Sequence, residues 1–89
     1  MNADRIMKIR ARLTDALQPV DLEVVDESHL HKGHPGARDG RGHFRIRIIS
    51  DKFTGLKLIQ RHRLIYDAVG DLMETDIHAL SITADPPVL

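Results

Sequence analysis

The side chains with the richest chemistry in this sequence are six histidines, and they occur in a chain with no cysteine. Three of them, His29, His31 and His34, form an H-x-H-x-x-H cluster. A neutral imidazole is the commonest side-chain ligand for metals and is available near physiological pH. The cluster opens a run, KGHPGARDGRG, that holds four of the six glycines, so residues 29–42 are expected to be a flexible His/Gly-rich loop. Ordering such a loop around a metal costs conformational entropy at every residue fixed. A stand-alone zinc site is therefore not expected there unless a partner fixes the loop. The missing cysteines exclude a disulfide scaffold, a cysteine zinc site and a self-contained cysteine-ligated iron–sulfur cluster.

The other three histidines have different settings. His43 starts a strand-like segment on its polar face, where a surface role explains it. His62 shares a helical stripe with Leu58, Ile65 and Val69, which reads as a core histidine bonded to backbone or a carboxylate. His78 opens the last strand in phase with Leu80 and Ile82, at a margin where a core-facing side chain still reaches solvent; a packed histidine and a functional one both fit. No catalytic constellation is recognisable, since neither Ser28 nor Ser81 has an identifiable base and orienting carboxylate. The glycine pattern precedes a strand and not a helix, the wrong context for a phosphate-binding turn. An enzyme is not expected.

The elements that must position these residues follow from periodicity. Ile6, Ile9, Leu13 and Leu17 recur at three- and four-residue steps, with Asn2 as a capping candidate and Pro19 beyond the end, so residues 3–17 are expected to form an amphipathic helix. Asp21 to Asp26 alternates as a short strand with Leu22 and Val24 inward. His43 to Ser50 alternates again, with Phe44, Ile46 and Ile48 on one face and His43, Arg45 and Arg47 on the other. Leu58, Ile65, Val69 and Leu72 predict a long helix over residues 56–74, and a last strand is expected over residues 77–83. The chain of 89 residues has room for one small domain. The order helix, strand, strand, helix, strand predicts an α/β fold. Its three-stranded mixed sheet has the first pair antiparallel, the crossover pair parallel, and the helices on one face.

Charge adds a local feature to a neutral total of 13 basic and 13 acidic residues. Seven bases, Arg41, Arg45, Arg47, Lys52, Lys57, Arg61 and Arg63, stand against the single acid Asp51 between positions 41 and 63. Such a stretch is either a solvated face or a docking face for an acidic protein or nucleic-acid phosphates. The first thirteen residues alternate charged and apolar types and lack the apolar core of a signal peptide. No run approaches the roughly 20 apolar residues of a membrane span. A cytoplasmic location and no membrane association are the expectations.

The ordered set D-E-S at 26–28, H-F-R-I-R-I-I-S at 43–50, F-T-G at 53–55, R-H-R-L-I-Y at 61–66 and I-H-A-L at 77–80 resembles the BolA family over nearly the whole chain. The resemblance implies a class II KH-like fold, without the G-x-x-G phosphate clamp of nucleic-acid-binding KH domains, since only Gly55 stands at that turn. It further implies a non-enzymatic adaptor that pairs with a monothiol glutaredoxin, the heterodimer holding a [2Fe-2S] cluster used in iron–sulfur trafficking or iron sensing. The partner's cysteine and glutathione would supply thiolates, and the isolated chain, expected to be a monomer, would hold no cofactor. The I-H-A-L motif maps the histidine ligand onto His78. The second ligand, from the first inter-strand loop, is His31 when anchored on D-E-S and His34 when counted back from H-F; His31 is the choice. Imidazole in place of thiolate raises a cluster's potential and makes ligation pH-sensitive. The alternative role implied by the family is a DNA-binding transcriptional regulator of stress response and morphology. Its contacts, or those to a protein partner, would come from Arg45, Arg47, Lys57, Arg61, His62 and Arg63.

Overall fold

A computed structural model describes residues 2–28 and 41–88. Helix α1 (Asn2–Leu17) leads into strand β1 (Asp21–Asp26). Strand β2 (Gly42–Ile49), a single 3₁₀ turn (Asp51–Phe53), helices α2 (Leu58–Val69) and α3 (Leu72–Thr75), and strand β3 (Ile77–Asp85) follow. The sheet order is β1-β2-β3. β1 pairs antiparallel with β2, from Asp21 opposite Ile49 to Asp26 opposite Phe44, and β2 pairs parallel with β3. This is the predicted mixed sheet. Among the described residues, no helix is long and apolar enough to cross a membrane.

The core is aliphatic with two aromatic rings. Ile9, Leu13 and Leu17 of α1 and Ile65 and Val69 of α2 bury against Phe44, Ile46 and Ile48 of β2, joined by Phe53, Leu72, Ile77 and Ala84. Leu22 and Val24 pack against this cluster, as their phase in β1 requires. Arg45 and Arg47 alternate to the opposite face, which no helix covers, and are exposed. Two arginines satisfy outer-edge carbonyls of the sheet: Arg10 Nη1 donates to Leu22 O at 3.1 Å and Arg61 Nη1 to Ala84 O at 3.0 Å. Charged side chains at the edges also oppose strand addition.

The expected helix over 56–74 is two helices. Gly70 adopts φ +49°, a conformation costly for residues with a Cβ, and its N–H caps Tyr66 O at 2.9 Å. The chain then re-enters a single turn, α3, whose Leu72 still reaches the core. The start is also later than expected, because Lys57 is extended at φ −72°, ψ 159° and its N–H is taken by Gln60 Oε1 at 2.9 Å. Leu58 is consequently the first helical residue and lies 63% exposed, outside the core stripe assigned to it.

Candidate functional site

The parallel pairing of β2 and β3 carries one irregularity, and it falls at His78. Gly42 is opposite Ile77, but the next pair is His43 with Ala79, so β3 has one extra residue and His78 has no cross-strand partner. This bulge changes the strand's phase. Ile77 is buried before it, and Leu80 follows Phe44 toward the core after it. Strict alternation from Leu80 and Ile82 would turn His78 toward the core. Instead it is half-buried beside the imidazole of His43, with ring centroids 5.0 Å apart and planes inclined at 49°.

Three local devices hold this end of the sheet. Asp26 Oδ1 accepts the Ser28 N–H at 2.8 Å, and Ser28 Oγ accepts the His43 N–H at 3.1 Å, so D-E-S fixes the backbone at His43. Glu27 N–H donates to His43 O at 2.8 Å. Gly42, which precedes His43, has no room for a side chain: a Cβ there would stand 2.7 Å from the Phe44 ring and 2.9 Å from Ser28 Oγ. Its N–H donates to Asp76 O at 2.9 Å, tying β2 to the residue before β3.

Asp76 is itself an anchor. Its buried carboxylate receives Thr75 Oγ1 at 2.5 Å, Lys8 Nζ at 3.4 Å and an ion pair from Arg5 Nε at 3.5 Å. The Thr75 hydrogen bond, with the charges of Lys8 and Arg5, lowers its pKa below the ordinary aspartate value despite the opposing effect of burial. Arg41 completes the frame. Its Nη1 donates to Met73 O at 2.9 Å and its Nη2 lies 3.4 Å from His78 Nδ1. Next to His43, a cavity of about 220 Å³ is lined by Glu27, His43, Phe44, Ala79, Leu80 and Ser81.

The candidate residues are placed unequally. His78 is at the centre of this end, and His43, expected at the surface from its polar-face position, is half-buried beside it. His31 and His34, the candidate second ligands, and His29 lie outside the described residues. Among the described residues there is no group of three or more metal-ligating side chains. Among the described residues the donors brought together are the two imidazoles of His43 and His78, side chains of a type that ligates metals.

The basic segment is divided by the sheet. Arg45 and Arg47 occupy the uncovered face and pair with Glu27 at 3.2 Å and Asp21 at 3.5 Å. Lys57, Arg61, His62 and Arg63 belong to the opposite, helical layer. Arg61 is a structural clamp: Nε donates to Leu56 O at 3.0 Å, and Nη1 contacts Ala84 O and Asp85 Oδ1, the latter at 3.6 Å. His62 is half-buried, and its Nε2 has no hydrogen-bond partner among the described residues. Lys52, Lys57 and Arg63 are the exposed bases of the stretch that are not engaged within the described chain.

Comparison with known proteins agrees with this architecture. The family model described as BolA-like protein matches residues 13–88. The chain is 49% identical to SufE-like protein 1, chloroplastic/mitochondrial, of Arabidopsis thaliana, over 93% of this chain and 24% of the relative. It is 38% identical to the chloroplastic protein BOLA1 of the same plant, over 94% of this chain and 54% of that one. The chain thus spans about a quarter and about half of the lengths of these two relatives. It is 41% identical to the DNA-binding transcriptional regulator BolA of Escherichia coli strain K12, over 84% and 69% of the two chains. The solved BolA domain of Arabidopsis SufE1 superposes with a TM-score of 0.82 at 48% identity, covering 93% of this chain and 92% of that domain. With its family model, its relatives and its fold in agreement, this chain belongs to the BolA family.

Proposed function

We propose that this protein is a non-enzymatic adaptor that shares a [2Fe-2S] cluster with a monothiol glutaredoxin. The observation that carries the reading is the placement of His78 on a bulge at the end of β3, half-buried and beside His43, where an incoming partner can reach it. A chain with no cysteine and a ligating imidazole requires another molecule to supply sulfur. In this reading, the glutaredoxin cysteine and glutathione provide thiolates, and His78 and His31 provide nitrogen, with His34 as the alternative to His31. The cluster supplies one-electron chemistry or serves as cargo for a recipient protein. This chain's own work is positional. Asp76, Gly42 and Ser28 fix the backbone from which the two rings project, and Arg41 stands against His78.

The test is reconstitution with a monothiol glutaredoxin, iron, sulfide and glutathione. The mixture is expected to give a visible circular-dichroism spectrum distinct from that of the glutaredoxin homodimer. A spectrum unchanged by this protein, or indifferent to His78→Ala, overturns the proposal.

A second reading, a DNA-binding regulator, is favoured by the similarity to the DNA-binding transcriptional regulator BolA of Escherichia coli and by exposed Lys52, Lys57 and Arg63. It is the weaker of the two because Arg41, Arg45, Arg47 and Arg61 are engaged within the chain. Binding that appears only at very low salt, with no sequence preference, overturns it.

A further inference from the structure

We propose that Arg41 sets the tautomer of His78 and occupies its Nδ1 lone pair. The guanidinium is anchored by its own geometry: Nη1 donates to the Met73 carbonyl at 2.9 Å, which brings Nη2 to 3.4 Å from His78 Nδ1. Arginine is a donor only and stays protonated. Its Nη2 therefore makes a hydrogen bond to Nδ1 only when that nitrogen is bare, which puts the neutral ring's proton on Nε2. A planar fork can serve the carbonyl and the imidazole together, which a single ammonium does less well.

The consequence is that neither nitrogen of His78 is an open donor atom in the isolated chain. A metal that approaches Nδ1 must displace Arg41 Nη2, and one that approaches Nε2 needs the ring proton moved to Nδ1, where it would face the donor-only guanidinium of Arg41. His78 is thus exposed enough to be reached yet held in a state in which ligation requires a local change at Arg41. The anchoring carbonyl belongs to α3, the turn created by the break at Gly70. The short helix therefore has a role at the site as well as in the core.

Nitrogen-15 NMR of the histidine rings in the intact protein, without metal or partner, tests this at about pH 8. The wild-type spectrum is expected to show Nδ1 of His78 unprotonated and hydrogen-bonded, with a scalar coupling to a guanidinium nitrogen of Arg41. Arg41→Met keeps most of the aliphatic stem and removes every donor. It should abolish the coupling and move Nδ1 downfield toward the value of a free bare nitrogen. Arg41→Lys should restore the shift in part. A protonated Nδ1 in the wild-type protein overturns the proposal without any variant. So does an Nδ1 resonance indifferent to Arg41→Met when the amide spectrum shows the fold retained. Neither result bears on whether His78 ligates a cluster in the complex, which the reconstitution tests separately.

Discussion

The imidazoles of His43 and His78 lie with their centroids 5.0 Å apart, although the two residues are on different strands and the bulge leaves His78 without a cross-strand partner while His43 pairs with Ala79. The relationship makes His43 a neighbour of any group that His78 holds. The proposal assigns the ligands to His78 and His31, so the variants should separate. His78→Ala is expected to eliminate the heterodimer's distinctive visible spectrum. His43→Ala should retain a cluster with an altered circular-dichroism or electron-paramagnetic-resonance signature, because a ring beside the ligand has been removed. Equal loss in both variants would move the second ligand from the loop to His43.

Asp76 should control acid stability. Its carboxyl pKa is lowered in the folded protein, first by the Thr75 hydrogen bond and then by Lys8 and Arg5, with burial acting in the opposite sense. A depressed native pKa means that the unfolded state binds the proton more readily. The stabilisation is therefore complete above the ordinary aspartate value of 3.8 and is lost as pH falls through the lower native value. Asp76→Asn is expected to cost about 1–3 kcal/mol near neutral pH. It should also flatten the acid limb of the stability curve. Urea unfolding of both proteins at several pH values measures this, and parallel acid limbs would refute the assignment.

Gly42 and Gly55 should both resist substitution, for different reasons. At Gly42 the obstacle is space, since a Cβ would approach the Phe44 ring to 2.7 Å, and Phe44 is 1% exposed with no room to retreat. Gly42→Ala is expected to destabilise by about 1–3 kcal/mol through overpacking. It should also shift the ring resonances of His43. At Gly55 a Cβ meets nothing within 4 Å, but φ is +79°, so the cost is conformational, about 1–2 kcal/mol. Gly55→Asn should recover part of that cost because Asn tolerates the left-handed region, whereas Gly42→Asn should be worse than Gly42→Ala. The reverse ranking in thermal or urea unfolding would contradict the two mechanisms.

Much of this fold is legible in the chain because the strands and first helix carry one-sided apolar patterns. Phe44, Ile46 and Ile48 alternate with His43, Arg45 and Arg47, and the structure buries the first set. The break at Gly70 is less legible, since a lone glycine inside a helical pattern is often tolerated. Only its left-handed φ with Leu72 returning to the core reveals two helices. The bulge at His78 left a trace in hindsight: Ile77 and Leu80 are apolar in opposite strand phases, and both can face inward only if one residue is inserted between them. The positions of His43 and Arg41 beside His78 had no comparable trace, because they depend on a parallel strand pairing that brings together distant parts of the sequence. Likewise, a basic stretch does not show which of its members the sheet and the carboxylates will claim.

That division of the basic residues makes the DNA-binding reading sharply testable. Phosphate contacts release counterions, so each contributes about −0.9 to the slope of log K against log salt on duplex DNA. If Lys52, Lys57 and Arg63 are the groups free to contact phosphate, the total slope should be small, near −3. Arg63→Ala or Lys57→Ala should each reduce its magnitude by about one. Arg45→Ala and Arg47→Ala remove cations already paired with Glu27 and Asp21 on the other face of the sheet. They should leave the slope nearly unchanged, while exposing an unpaired carboxylate that weakens nonspecific attraction slightly. Arg61→Ala should act differently again, loosening α2 from β3 by removing donors to Leu56 O and Ala84 O, and so appear first as a loss of stability. Titrations of labelled duplex over a salt series, paired with unfolding curves for the same variants, separate the three classes. A slope that falls equally for Arg47→Ala and Arg63→Ala would mean that DNA engages both faces of the sheet, which the helical-layer reading does not allow.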